Sequence, residues 1–145
     1  MAQNALIRKA APVLVATAFL LGGTSAMAED IGMTIDGVTY RVALLENDAT
    51  KSLIEKLPLE VSFEDYGSTE RIAYPDGGLT VGGAPRRTTP VRGDITYYAP
   101  WGNVAVFVHD FRLSEGLVPL GHMDDKAVDA LKTSGKAKVR FERLK

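Results

Sequence analysis

Residues 95–109 read Ile95-Thr96-Tyr97-Tyr98-Ala99-Pro100-Trp101-Gly102-Asn103-Val104-Ala105-Val106-Phe107-Val108-His109. Two strands, 95–99 and 104–109, flank Pro100-Trp101-Gly102-Asn103, which carries the proline and glycine of a turn. In the second strand Val104, Val106 and Val108 share one face, and Ala105, Phe107 and His109 share the other. Both faces are largely apolar. A half-exposed strand alternates apolar with polar residues, so this one is expected to be central and covered on both sides. Tyr97 and Tyr98 fall on opposite faces, which leaves one free to line a cleft while the other packs.

Outward from this hairpin the pattern stays short and strand-rich. Upstream, residues 75–93 hold Gly77, Gly78, Gly82, Gly83 and Gly93 with Pro75, Pro85 and Pro90. The stretch reads as a long irregular loop with a short strand near 79–81; such loops inside compact domains are often either functional or mobile. Residues 59–66 and 70–74 form two strands around Gly67-Ser68. Before them, Asn47 or Asp48 caps a helix that runs to Leu57 and stops at Pro58, with Ala49, Leu53, Ile54 and Leu57 on one face. Residues 33–35 and 38–44 make a hairpin around Asp36-Gly37, a pair suited to a two-residue turn in which both positions need positive φ. Downstream, 117–122 is a strand. Asp124 or Asp125 then caps a helix that presents Ala127, Val128 and Leu131 inward and ends before Gly135. In 136–143, Ala137, Val139 and Phe141 alternate with Lys138, Arg140 and Glu142, a half-exposed strand. The sum is about eight strands and two short helices, a mainly β chain whose edges are best hidden by closure into a barrel.

The N-terminus sets the compartment. Arg8 and Lys9 precede a nearly unbroken apolar stretch over 11–21, and Ser25-Ala26-Met27-Ala28 offers small residues where signal peptidase reads them. The apolar run is shorter than the roughly 20 residues that span a bilayer. Residues 1–28 are therefore expected to be a signal peptide and 29–145 one domain, periplasmic or secreted, with no membrane insertion after cleavage. Loss of Arg8 and Lys9 leaves 15 basic against 18 acidic residues, a net charge of −3, which argues against a nucleic-acid partner. Without cysteine the chain has no disulfide, thiolate metal site or cysteine nucleophile, and the fold rests on packing.

Three segments resemble a known family. Thr50-Lys51-Ser52-Leu53-Ile54-Glu55-Lys56-Leu57-Pro58-Leu59 resembles the helix-to-strand segment of the bacterial cyclophilin-like domain family. Gly93-Asp94 and the hairpin through Val106-Phe107 resemble its central element, and Leu120-Gly121-His122-Met123-Asp124-Asp125 its Leu-Gly-x-Ile-Asp-Asp segment. In this order they cover nearly all of residues 32–142. The resemblance implies a closed eight-stranded cyclophilin-like β-barrel capped by two helices, and says little of activity. True cyclophilins isomerise X-Pro bonds with an arginine, a phenylalanine five residues on and a glutamine three beyond that. Here Arg71 is followed five residues later by Asp76, and the one glutamine is Gln3, inside the signal peptide. Fold resemblance is not function.

Candidate site residues follow from chemistry. His109 and His122 are the only histidines, each able to act as base or ligand near neutral pH. No tight His/Asp spacing supplies the three or four ligands of a metal, so neither metal nor cofactor is expected. Asp124-Asp125 is explained by helix capping. Arg86, Arg87 and Arg92 in the long loop have the fork geometry that grips carboxylate or phosphate, although no nucleotide-loop motif accompanies the glycines. Tyr97, Tyr98, Trp101, Phe107 and Phe111 cluster in or beside the central hairpin, the residue types of a peptide or small-molecule groove. Ser114-Glu115 lies in a connection without an evident partner. The preferred reading is a barrel that binds a small molecule or peptide in a groove formed by Tyr97, Trp101, Phe107, His109, Arg86 and Arg87. The alternatives are a peptidyl-prolyl isomerase of atypical site, with an arginine polarising the amide, and a hydrolase using His109 or His122. The sequence leaves open whether the protein is an enzyme.

Overall fold

A computed structural model describes residues 27–145, so the expected signal peptide lies outside the described residues except for Met27 and Ala28. Those two open strand β1 (Met27–Ile35), which turns at Asp36-Gly37 into β2 (Val38–Leu45). The turn residues take φ of 48° and 81°, the two positive values that match strand twist. β1 begins earlier than its apolar pattern. Its first turn of chain is charged and is held by ion pairs, Asp30 to Arg41 at 2.9 Å and Glu29 to Arg143 at 2.8 Å. Helix α1 (Asp48–Glu55) follows, with Asn47 and Thr50 in a reciprocal capping box: Thr50 N donates to Asn47 Oδ1 at 2.9 Å and Asn47 N to Thr50 Oγ1 at 3.0 Å.

The remaining elements are β3 (Leu59–Ser62), β4 (Glu64–Tyr66), β5 (Glu70–Ala73), β6 (Arg87–Thr88), β7 (Asp94–Tyr98), β8 (Asn103–Phe107), β9 (Ser114–Glu115), β10 (Leu117–Met123), α2 (Asp125–Thr133) and β11 (Lys138–Arg143). Nine strands form one antiparallel sheet in the order β3-β11-β1-β2-β10-β7-β8-β5-β4. Its two edge strands are consecutive pieces of chain. β3 pairs with β11, β4 pairs with β5, and only Phe63 stands between them. The sheet therefore curls into a nearly closed barrel, and the expected single strand 59–66 is its bent closing stave. Counted once, that stave gives the eight strands expected; the break at Phe63 makes nine. Phe63 is 1% exposed and meets the Phe141 ring edge-on, centroids 6.3 Å apart.

The core fills the barrel. Ile31, Met33, Val42, Leu44, Ile95, Val104, Val106 and Leu120 point inward, and Ala49 and Leu53 of α1 and Ala127, Val128 and Leu131 of α2 join them. The long loop also enters this core, and here the sequence expectation fails: no strand forms over 79–81. Leu79, Val81 and Ala84 are buried in the interior cluster, while backbone N–H groups around them are taken by side chains rather than by a ladder. Leu79 N donates to Tyr97 Oη at 3.0 Å, Thr80 N to Ser52 Oγ at 2.9 Å, and Gly83 N to Asp48 Oδ2 at 2.7 Å. The short strand is instead β6, paired with β9. The β7–β8 turn also sits one residue early, because Tyr98 pairs with Asn103.

Two arginines fix α2. Arg71, 4% exposed, donates to Asp65 Oδ1 at 3.0 Å, to Ser134 Oγ at 3.2 Å and to the Gly135 carbonyl. These bonds and the negative end of the helix dipole offset the cost of burying its charge. Arg92 donates to Asp125 and Asp129 at 2.9 and 2.8 Å and to the Val108 carbonyl at 2.9 Å. The carboxylates it grips are the chain's own. Gly121 has a packing reason as well: a Cβ there would run into the Ala43 carbonyl where β10 crosses β2.

Phe63→Ala is expected to destabilise the protein by roughly 3–5 kcal/mol, since it empties the corner at which the barrel closes. Chemical denaturation checks this, and a loss below about 1 kcal/mol would show that closure does not depend on that ring.

Candidate functional site

Strand register places a second apolar cluster outside the barrel. On the outer face Phe107 opposes Glu70, Ala105 opposes Ile72, and Asn103 opposes Tyr98, which in turn opposes Leu117. Tyr66 extends the first of these rows from β4, opposite Glu70. Ile72, Ala105, Phe107 and Leu117 are buried together, separately from the interior core, with Tyr98 and Phe111 packed against them. The segment after β8 folds back over this face but does not cover all of it. The uncovered part is a cavity of about 400 Å³, the size of an ordinary small-molecule pocket.

Its walls are aromatic. The Trp101 ring stands nearly perpendicular to Tyr66 and to Tyr98, with centroids 5.5 and 5.6 Å away. Phe107 and Phe111 lie 5.8 Å apart, and the Arg112 guanidinium sits 4.4 Å above the Phe111 ring. Four other polar side chains join the lining: Glu70, Asn103, Ser114 and Glu115. Burial pushes the Glu70 carboxyl above its ordinary range. Glu115 is paired with Arg87 at 3.1 Å.

The residues expected at the site are thus divided. Trp101 and Phe107 line the cavity. Tyr97 points the other way, into the barrel, where it is 4% exposed and accepts the Leu79 N–H. His109 lies beyond the end of β8 and is exposed, outside the lining. Arg86 donates to the Gly82 carbonyl at 3.1 Å and is also outside it; Arg87 reaches the rim only through Glu115. His122 has a partner the sequence did not suggest, donating from Nδ1 to Asp94 Oδ1 at 2.8 Å, but that pair also stands apart from the cavity. Glu70, Asn103 and Tyr66 were missed. Glu70 reads as a solvated charge at a strand end, and only the register with Phe107 brings it to the cavity. Among the described residues no three His, Asp or Glu side chains converge as a metal site.

The sequence profile of the cyclophilin-like family matches residues 33–142. The chain belongs to this family. Its fold also resembles that of a hypothetical protein from Archaeoglobus fulgidus, solved in solution, with a TM-score of 0.55 and 16% sequence identity. The match covers 85% of this chain and 99% of the archaeal one. No curated protein matches the chain significantly. At that identity the archaeal likeness concerns fold alone. Within the cyclophilin-like family, then, the barrel and its two helices are a shared frame, and the outer cavity must be judged on its own side chains.

The Glu70 carboxyl makes the first test. Its folded-state pKa lies above the unfolded value, so its contribution to stability is present below the ordinary carboxylate range and is lost as pH rises through the folded value. Glu70→Gln is expected to melt higher than the parent near about pH 7, and the two melting curves should converge below about pH 4. Thermal unfolding at both pH values checks this; a variant less stable than the parent at neutral pH would contradict it.

Proposed function

We propose that this cyclophilin-like domain is exported and binds a small molecule or short peptide in the outer aromatic groove. The observation that carries the reading is the grouping of exposed apolar side chains. Trp101, Tyr66 and Leu113, all about half exposed, surround one cavity. Scattered singly, such residues need no explanation; gathered at one concave place they favour an occupant. Each Å² of apolar surface that an occupant covers is worth roughly 25 cal/mol before the costs of binding. Leu79, Val81 and Ala84 of the long loop pack into the interior core.

Binding without turnover is the reading that geometry favours over an isomerase. Arg86 and Arg87 lie outside the groove, and Arg112, the arginine on its lining, is stacked on Phe111. Export is supported by the layout of residues 1–28. Cleavage after Ala28 would spare the barrel: of the β1–β2 register it removes only Met27↔Leu45.

The groove is tested with Trp101, the one tryptophan of the chain. Titration with a set of aromatic amines, acids, alcohols and blocked dipeptides is expected to shift its emission for at least one class. Tyr66→Ala should weaken that binder while costing about 1 kcal/mol or less of stability, as suits an exposed ring with one aromatic neighbour. Silence across the whole set would remove the groove reading. A coupled proline-isomerisation assay should show no rate enhancement, and the protein recovered after export should begin at Glu29.

A further inference from the structure

Two polar groups of the groove lining lack a partner among the described residues, and they differ in access. Asn103 is 2% exposed, and its side chain lines the cavity. Its Nδ2 donates to the Val104 carbonyl at 3.3 Å, but its Oδ1 receives no donor. That oxygen is itself enclosed, with essentially no accessible surface, so a ligand in the cavity does not reach it and it stays an internal orphan. Glu70 is the acceptor that an occupant can meet. Its carboxylate is half-buried beside Phe107 and Tyr66, and among the described residues it makes neither a hydrogen bond nor an ion pair. Burial holds its pKa above the ordinary value; Arg71 and Lys132 border it on the side away from the groove, and neither pairs with it.

We propose that the groove takes a cation with N–H donors on an apolar stem, an alkylammonium or alkylguanidinium group, with Glu70 as counter-ion and the aromatic wall around the stem. The assignment rests on the groove reading above. Glu70 stands between Tyr66 and Phe107 in the strand register, and all three line the cavity. The wall beside the carboxylate is therefore aromatic, and aromatic faces attract cations. The protein already uses that attraction once, where Arg112 lies over Phe111.

The other charges of the lining do not reverse the balance. Glu115 is neutralised by Arg87. Arg112 is exposed at the mouth, where water and salt screen it. Glu70 is the more deeply placed charge and has no partner, so it governs what the cavity accepts.

The experiment follows Trp101 emission and binding heat with four probes on the protein expressed from the full sequence: agmatine, 2-phenylethylamine, 2-phenylethanol and phenylacetate. The two amines are expected to bind, the alcohol about tenfold more weakly than phenylethylamine, and the acid weakest of all. Glu70→Gln should weaken the amines about tenfold or more and the alcohol much less. Arg112→Ala should leave the amines bound at least as tightly. A blocked tripeptide with a central arginine, compared with its citrulline analogue, separates a peptide side chain from a free amine as the source of the cation. If the alcohol or the acid binds as well as the amine, the groove stands and the cation assignment falls. If Glu70→Gln leaves amine affinity unchanged, the assignment also falls. If no probe moves Trp101 emission or gives heat, the groove reading fails and takes this inference with it.

Discussion

The structure depends on one strand that must be hidden on both faces. Along β8, Val104 and Val106 enter the barrel interior while Ala105 and Phe107 face outward, and all four are buried. A barrel normally spends its outer face on water. Here the outer face of the central staves is apolar, so chain must be laid over it. Phe111, in the segment after β8, does this over Phe107, and Trp101 of the β7–β8 turn stands against Tyr66 and Tyr98 of the neighbouring staves. The groove is the place where that cover stops. Site and fold thus share a cause: the same alternation that fills the interior with valine leaves aromatic surface outside it.

The barrel's ends are closed by unlike devices that converge on the same core. α1 and α2 contribute short apolar faces, and the glycine-rich loop contributes Leu79, Val81 and Ala84 without forming regular structure. The loop can do so because Ser52, Asp48 and Tyr97 take its backbone donors. Its glycines let the chain turn tightly around those side chains: Gly78 and Gly82 have φ of 64° and 54° and pass close to Tyr97 Oη and Asp48. A segment that looks unstructured by pattern is thereby anchored in the core without a strand ladder.

Most of the architecture was legible because it follows from local chemistry. The Asp36-Gly37 turn, the Asn47 and Asp124 caps and the opposed faces of Tyr97 and Tyr98 each depend on a few neighbouring residues. What was not legible depends on partners remote in sequence. Residues 59–66 alternate as one strand; that its halves serve β11 and β5 is a property of closure. Alternation separates Tyr97 from Tyr98 but does not say which enters the barrel. Arg87 looked free in its loop because Glu115, its partner, is far along the chain. The Asn103 amide was hidden in a turn, where asparagine has local reasons to occur. The family match covers the frame and is silent on the groove.

The closing stave has a consequence in time. β11, the last strand, lies between β3 and β1, pairing Ile31 with Arg143 and Leu59 with Phe141. Until those final residues are available, β1 and β3 each lack a neighbour, and Phe63 has no Phe141 ring to meet. Pairings so distant in sequence form late, because the chain must give up loop entropy before they reward it. A nascent chain of this kind keeps its barrel open until residues 138–143 have emerged, and until then the free edges of β1 and β3 can pair with the wrong strand.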